Sequence, residues 1–188
     1  MDYYITNGGH RDLRRIYPMM QFDFEQGEVP PETMLHRALS RNVIDLLLLH
    51  RNDGLEMGYA VIQKQSLYGY VLLAFISIYP TMRGKGCGPV FLELLKSRYS
   101  HTQGILLEVT RPEGSGSKFE KLHALYAGAG YLDVDVDYML GKEPATLMYL
   151  PIHGPREITP AAKRIVLDLY QPLMGKFDPE KYVKIRRR

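Results

Sequence analysis

The stretch from Val71 to Tyr99 constrains this chain more than any other, because it takes an apolar run through a glycine-rich turn straight into an amphipathic segment. Val71-Leu72-Leu73-Ala74-Phe75-Ile76-Ser77-Ile78 carries little polarity on either face, as expected of a strand buried inside a sheet. Tyr79 and Pro80 end it, since proline donates no hydrogen bond. The turn reads Arg83-Gly84-Lys85-Gly86-Cys87-Gly88, and Pro89 suits the first position of a helix. That helix is expected to bury Val90, Phe91, Leu94, Leu95 and Tyr99 on one stripe. Glycines let the backbone approach a ligand closely, and a helix N-terminus offers unpaired amides and a favourable dipole to anions. With Arg83 and Lys85 adding positive charge, the expected guest is a phosphate or pyrophosphate.

Two familiar phosphate loops are excluded by spelling. A P-loop needs Gly-Lys followed by Ser or Thr, whereas Gly86 follows Lys85; a Gly-x-Gly-x-x-Gly turn fails at Pro89. The remaining pattern is Arg-x-x-Gly-x-Gly, formed by Arg83, Gly86 and Gly88.

A chain of 188 residues can bury one sizeable core, and 45% hydrophobic with 24% charged residues excludes disorder. One cysteine, Cys87, excludes an intramolecular disulfide and a multi-cysteine metal site and fits a reducing compartment. His10, His36, His50, His101, His123 and His153 show no metal-ligand spacing, so no metal is expected. No run reaches the roughly 20 apolar residues of a membrane span, and the N-terminus lacks the pattern of a signal peptide. The expectation is a cytoplasmic protein with no membrane partner. The net charge of +3 is small, and Lys184 to Arg188 reads as a solvated basic tail rather than a nucleic-acid arm.

Along the chain, Tyr3 to Ile5 forms a short strand, and a helix starts near His10, kinked or cut short by Pro18. Gln21 to Pro31 reads as a loop with two aromatics, before a helix over Met34, Leu35, Ala38 and Leu39. Asp53-Gly54 between the apolar runs 42–50 and 55–64 signals a hairpin, and a turn near Gly69 returns the chain to the strand of 71–78. Gly104 to Val109 is a further buried strand. Reached through a helix, it should lie parallel to 71–78. Lys118 to Ala129 is helical with Gly130 as its αL cap. Two closing strands, 131–140 and 145–152, follow, the first with a wet face of Asp133, Asp135 and Asp137. Thr159-Pro160 starts a last helix striped with Ala162, Ile165, Val166, Leu169 and Leu173. This stripe covers either the chain's own sheet or a partner, which leaves a homodimer open.

The order βααβββαβαββ with its glycine loop resembles the GNAT superfamily of acetyl-CoA-dependent N-acetyltransferases over residues 1–152. Leu125-Tyr126-Ala127-Gly128-Ala129-Gly130-Tyr131 is similar to a second motif of that family, Leu-Tyr-x-x-x-Gly-Phe. The fold class expected is α/β (α+β): a mixed, mostly antiparallel sheet flanked by helices. Residues 153–188 add a helical extension and tail.

The resemblance implies that the strands at Ile78 and Glu108 splay apart, so that backbone groups of Ile76, Ser77 and Ile78 meet the pantetheine arm. It also implies that Arg83, Gly84, Lys85, Gly86, Cys87, Gly88 and Pro89 surround the pyrophosphate of acetyl-CoA (CoA) as cosubstrate. Cys87 is expected to pack or present backbone, not to carry an acyl group. Tyr126 stands at the family's general-acid position, next to the cofactor. A base must take the proton of an amine whose pKa starts at about 10; Glu108 is the first candidate and Glu28 the second, beside an equal reading of both as structural carboxylates. Phe24, Glu25 and Glu28 are candidate acceptor contacts, with Phe22 read as a core anchor. The family often has an Asn seven residues before the tyrosine, where this chain has Phe119. The function implied is acetyl transfer in a ternary complex to a primary amine of a small molecule or peptide, with no nucleic-acid partner. The alternative is a non-catalytic acyl-CoA-binding module.

Overall fold

In the computed structural model, residues 3–24, 28–110, 116–175 and 178–187 are described. Strand β1 (Tyr3–Gly8) leads to helices α1 (His10–Asp23) and α2 (Glu32–Ser40), then to the meander β2 (Ile44–Arg51), β3 (Glu56–Gln63) and β4 (Tyr70–Ile78). Helix α3 (Cys87–Arg98), β5 (Gly104–Thr110) and α4 (Gly116–Gly128) follow. The chain ends with β6 (Leu132–Asp133), β7 (Val136–Leu140), β8 (Glu143–Pro151), α5 (Ala162–Met174) and β9 (Val183–Arg187). The sheet order is β1-β2-β3-β4-β5-β8-β7-β9, with β6 paired to β8. Among the described residues, only β4 and β5 run parallel. The mixed, mostly antiparallel sheet flanked by helices is the fold class the sequence implied.

Period-two alternation sorts the strands onto two faces. Leu47, Leu49, Ala60, Ile62, Val71, Leu73, Ile105 and Leu107 pack with Phe91, Leu92 and Leu95 of α3 and Phe119 and Tyr126 of α4. On the opposite face, Leu46, Leu48, Tyr59 and Val61 meet α1 and α2. Farther along that face Leu72, Leu106, Tyr138 and Tyr149 meet Ile165, Val166 and Leu169 of α5. The last helix therefore covers its own sheet.

The β4–β5 ladder is short. It joins Tyr70–Leu73 to Gly104–Leu107 and stops there, so the strands part before Ile78 and Glu108. On the other edge of β4, Val61 faces Phe75 while Ile62 faces Leu73, leaving Ala74 as a bulge. An extra residue bends a strand and increases its twist. The bulge thus lies where β4 turns away from β5.

Several local expectations change. Helix α1 continues through Pro18 to Asp23. Arg14, whose carbonyl loses a donor to the proline, and Pro18 itself are both exposed. The 21–31 loop is correspondingly shorter. Phe22 is 84% exposed at the helix end instead of anchoring the core. Helix α3 starts at Cys87, which puts Pro89 at its third position, still within the first turn where no intrahelical N–H is required. The predicted 131–140 strand breaks at Val134–Asp135 into β6 and β7. Its acidic face holds, with Asp133, Asp135 and Asp137 all exposed. The basic tail is no free tail over 183–187. It pairs with β7, setting Arg186 opposite Asp137, with Val183 buried and Lys184 exposed.

Candidate functional site

The turn between β4 and α3 is held open by two left-handed glycines, Gly84 at φ 75° and Gly86 at φ 77°. A Cβ on either would meet no atom within 4 Å, so conformation rather than space calls for glycine. Among the described residues, no hydrogen bond engages the backbone amides of 84–88. The turn is therefore a set of free donors at a helix N-terminus, with exposed Lys85 beside them. Cys87 is buried, its Sγ 4.0 Å from Tyr3 Oη, consistent with a packing role.

Arg83 does something different from lining the turn. Its Nη2 donates to Asp23 at 2.8 Å and its Nε to the Ile78 carbonyl at 2.8 Å. Asp23 also accepts from Ser77 Oγ at 2.6 Å and Tyr59 Oη at 3.3 Å. The end of α1, both central strands and the glycine turn thus meet at one carboxylate. Ser77 meets that carboxylate with its side chain, while Ile76 and Ile78 line the strand edge that β5 has left.

Where β4 and β5 part, a cleft of about 1500 Å³ connects the two faces of the sheet. On the α3/α4 side it is lined by Gly88, Phe119, Tyr126 and the cations Lys118 and Lys121. Among the described residues the Tyr126 hydroxyl has no hydrogen-bond partner, and burial pushes it up to about 12, so it stays protonated at neutral pH. Its ring packs edge-on to Tyr131 at 5.9 Å, whose own buried hydroxyl is unpaired among the described residues.

Glu108 lies on the other side. It follows the last β5 residue paired with β4 and alternates with Leu107, so it shares the α5 face with Leu106. Its carboxylate accepts from Tyr170 of α5 at 2.7 Å and from Tyr138 of β7 by a short hydrogen bond. Burial, with the charge of Glu28 adding to it, lifts the Glu108 carboxyl above the ordinary range against the pull of the two phenols. Both phenols are pushed well above theirs, first by burial and then by the Glu108 charge, and remain donors. Phe24 and Glu28 also line this half; Phe24 stands edge-on to Phe75 at 5.0 Å. Glu25 lies outside the described residues.

The cleft therefore unites Arg83 and Gly88 of the glycine turn, Tyr126, Glu108, Glu28 and Phe24, while Gly84, Lys85, Gly86, Cys87 and Pro89 do not line it. Sequence reasoning missed Asp23, Tyr138 and Tyr170. Tyr170 stood in plain view beside Leu169 on the apolar stripe of α5, but the partner of that stripe was unknown. Among the described residues, no group of three or more His, Cys, Asp or Glu side chains could hold a metal ion. No described helix is long and apolar enough to cross a membrane.

No family model matches the sequence, and no curated protein sequence does. Solved structures do match. A GNAT-family protein from Bacteroides thetaiotaomicron superposes with a TM-score of 0.71 at 18% identity, over 89% of this chain and 96% of that one. The chain has the GNAT fold. The spermidine N-acetyltransferase of Vibrio cholerae, in complex with CoA and spermine, aligns at TM-score 0.62 and 15% identity over 80% of this chain and 95% of its own. A dodecameric form of the Vibrio enzyme aligns at TM-score 0.62 and 14% identity, over 79% and 93%. Within the GNAT fold of this chain, α5 and β9 extend the sheet and its cover beyond β8.

Proposed function

We propose that the protein is an N-acetyltransferase that moves an acetyl group from acetyl-CoA to a primary amine within a ternary complex. The observation that carries this reading is the cleft through the sheet, with free backbone donors and cations on one side and a half-buried carboxylate on the other. The donor half fits CoA: free amides of residues 84–88 and Lys85 suit its pyrophosphate, and the edge of β4 over Ile76–Ile78 suits an amide-bearing arm. The Vibrio relative of this fold was crystallised with CoA and spermine, an amine.

Acetyl-CoA supplies an acyl group already activated as a thioester. In its ionised form Glu108 takes the proton of the incoming ammonium, directly or through water; burial raises its pKa toward that of the amine and makes the transfer less uphill. A backbone N–H near Ile76 or Ile78 meets the negative charge that develops on the thioester oxygen. Tyr126, protonated and without another partner among the described residues, donates to the leaving sulfur. Glu28 adds negative charge that favours a cationic acceptor.

The test is twofold. Thermal melts with acetyl-CoA, CoA and ATP should show stabilisation by both CoA species, roughly 2.7 kcal/mol at a hundredfold excess over Kd, and little by ATP. Release of CoA thiol from acetyl-CoA should then depend on added amine. Stabilisation without amine-dependent release from a broad panel would instead establish a non-catalytic CoA-binding module.

A further inference from the structure

Glu108 receives its two phenols from two directions, and one of them comes from outside residues 1–152. Within the sheet, β8 links it to Tyr138: Tyr138 pairs with Ala145, Ala145 with Thr110, and Thr110 lies two residues from Glu108 on the same face. From the layer above, α5 brings Tyr170, which donates to Oε2 while Tyr138 donates to Oε1. The two tyrosines differ in one respect. Tyr170 lines the cleft, and Tyr138 does not.

One turn of α5 is anchored at successive residues. Asp168 accepts from Ser66 Oγ at 2.6 Å and from the Leu67 amide at 2.9 Å, both in the β3–β4 turn. The Leu169 carbonyl accepts from Gln63 Nε2 of β3 at 2.7 Å. Tyr170 then reaches Glu108, with its ring 5.9 Å from that of Tyr182. Tyr182 is tied down in turn, since its carbonyl accepts from the Gly141 amide at 2.8 Å. A donor fixed by such supports is already in place when the carboxylate changes charge.

Resting on the acetyltransferase reading, we propose that Tyr170 is a positioning residue for the base: it holds the Glu108 carboxylate ionised and aimed into the cleft, so that residues 153–188 complete the acceptor site instead of only covering the sheet. A phenol that donates to a carboxylate favours its charged form. Burial is the largest influence on Glu108 and opposes its charge; the Tyr138 and Tyr170 bonds work against burial, and the Glu28 charge adds to it. Without Tyr170, the carboxyl would therefore stay protonated to higher pH. The other ionisable groups nearby are engaged elsewhere or screened. Tyr182 packs on Tyr170 and, among the described residues, makes no hydrogen bond to Glu108; Asp23 is paired with Arg83. Asp178 and Lys181 line the same cleft as exposed groups whose charges water and salt screen.

The experiment measures kcat/KM against pH at saturating acetyl-CoA, by release of CoA thiol, with n-butylamine, benzylamine and glycinamide as acceptors. The expected result is an acid limb that disappears in Glu108→Gln and moves up by about one pH unit in Tyr170→Phe, which keeps the ring and removes only the donor. At a pH on that limb, Tyr170→Phe then loses about tenfold in rate. Tyr182→Phe removes a phenol from the same cleft without breaking a bond to Glu108 and should leave the limb in place. Replacing Tyr170 by a fluorinated tyrosine, whose hydroxyl is the stronger donor, should move the limb down, and serves if Tyr170→Phe does not fold. A limb that Glu108→Gln removes but neither change at Tyr170 moves overturns the inference and leaves the acetyltransferase reading standing. So does a limb that persists in Glu108→Gln, or an equal shift in Tyr182→Phe. Stabilisation by acetyl-CoA with no transfer to these or any other amine of a broad panel overturns both.

Discussion

Replacing Asp23 by alanine tests whether the end of α1 is tied to the sheet as firmly as the geometry requires. The substitution removes the shared acceptor of Ser77 Oγ, Tyr59 Oη and Arg83 Nη2. Tyr59 is fully buried and Ser77 is 8% exposed, so two hydroxyl donors are stranded. Each costs about 1–3 kcal/mol, with Ser77 at the low end because the Ile78 carbonyl is a fallback partner at 3.5 Å. The Arg83 side chain is 51% exposed and returns to water, so its ion pair adds only about 0.5 kcal/mol. The sum is about 3 kcal/mol, which for a chain of this size lowers Tm by roughly 6–12 °C. Urea unfolding followed by circular dichroism measures it, with an unchanged slope confirming that the two end states are the same. Asp23→Asn keeps one acceptor and should lose about half as much. A loss below about 0.5 kcal/mol for Asp23→Ala would refute the reasoning, since cleft water would then be satisfying both hydroxyls.

Gly86→Ala introduces no clash but forces a side chain into the left-handed region at a cost of about 1–2 kcal/mol. It should weaken acetyl-CoA binding about tenfold by calorimetry, and unchanged affinity would contradict a preformed donor turn. Tyr126→Phe should lower turnover while leaving CoA binding intact, because the ring packs but only the hydroxyl donates; equal turnover would remove the proposed acid. For Glu108 the sign runs in two directions. Its folded pKa is raised, so the ionised form is the costly one: that cost is absent below the unfolded carboxyl value and fully present once pH exceeds the folded value. Stability should therefore increase as pH falls through the folded pKa, while activity should decrease over the same window as the base is protonated. Glu108→Gln should abolish that acid limb of kcat/KM and the matching stability change; persistence of either would assign it to another group.

Much of the fold was legible because it is written in local signals. Asp53-Gly54 marks a hairpin, and Gly130, at φ 93°, caps α4 as its position implied, with Tyr131 N–H returning to the Tyr126 carbonyl at 3.1 Å. The glycine turn was equally readable, since left-handed backbone and a helix start have residue signatures. Less legible were features that depend on what lies across space. Pro18 signals a break, yet α1 continues with Arg14 and Pro18 both exposed and the helix end held at Asp23. Val183, Lys184, Ile185 and Arg186 alternate as a strand should, but the alternation was masked by the basic run, and its acidic partner is the exposed face of β7.

The sequence by itself determined most of the elements through β8, their order and the glycine turn, because propensity, glycine conformation and period-two burial act between neighbours in the chain. Only the tertiary structure decided what those elements make together. Glu108 becomes a half-buried carboxylate with two phenol donors because β7 and α5, distant in sequence, pack against it. Arg83 turns to Asp23 because α1 ends beside β4. Gln63 is buried with its Nε2 on the Leu169 carbonyl because α5 covers the strand it sits on. Charge, pKa and specificity are set by what surrounds a group, and those surroundings come from residues tens of positions away.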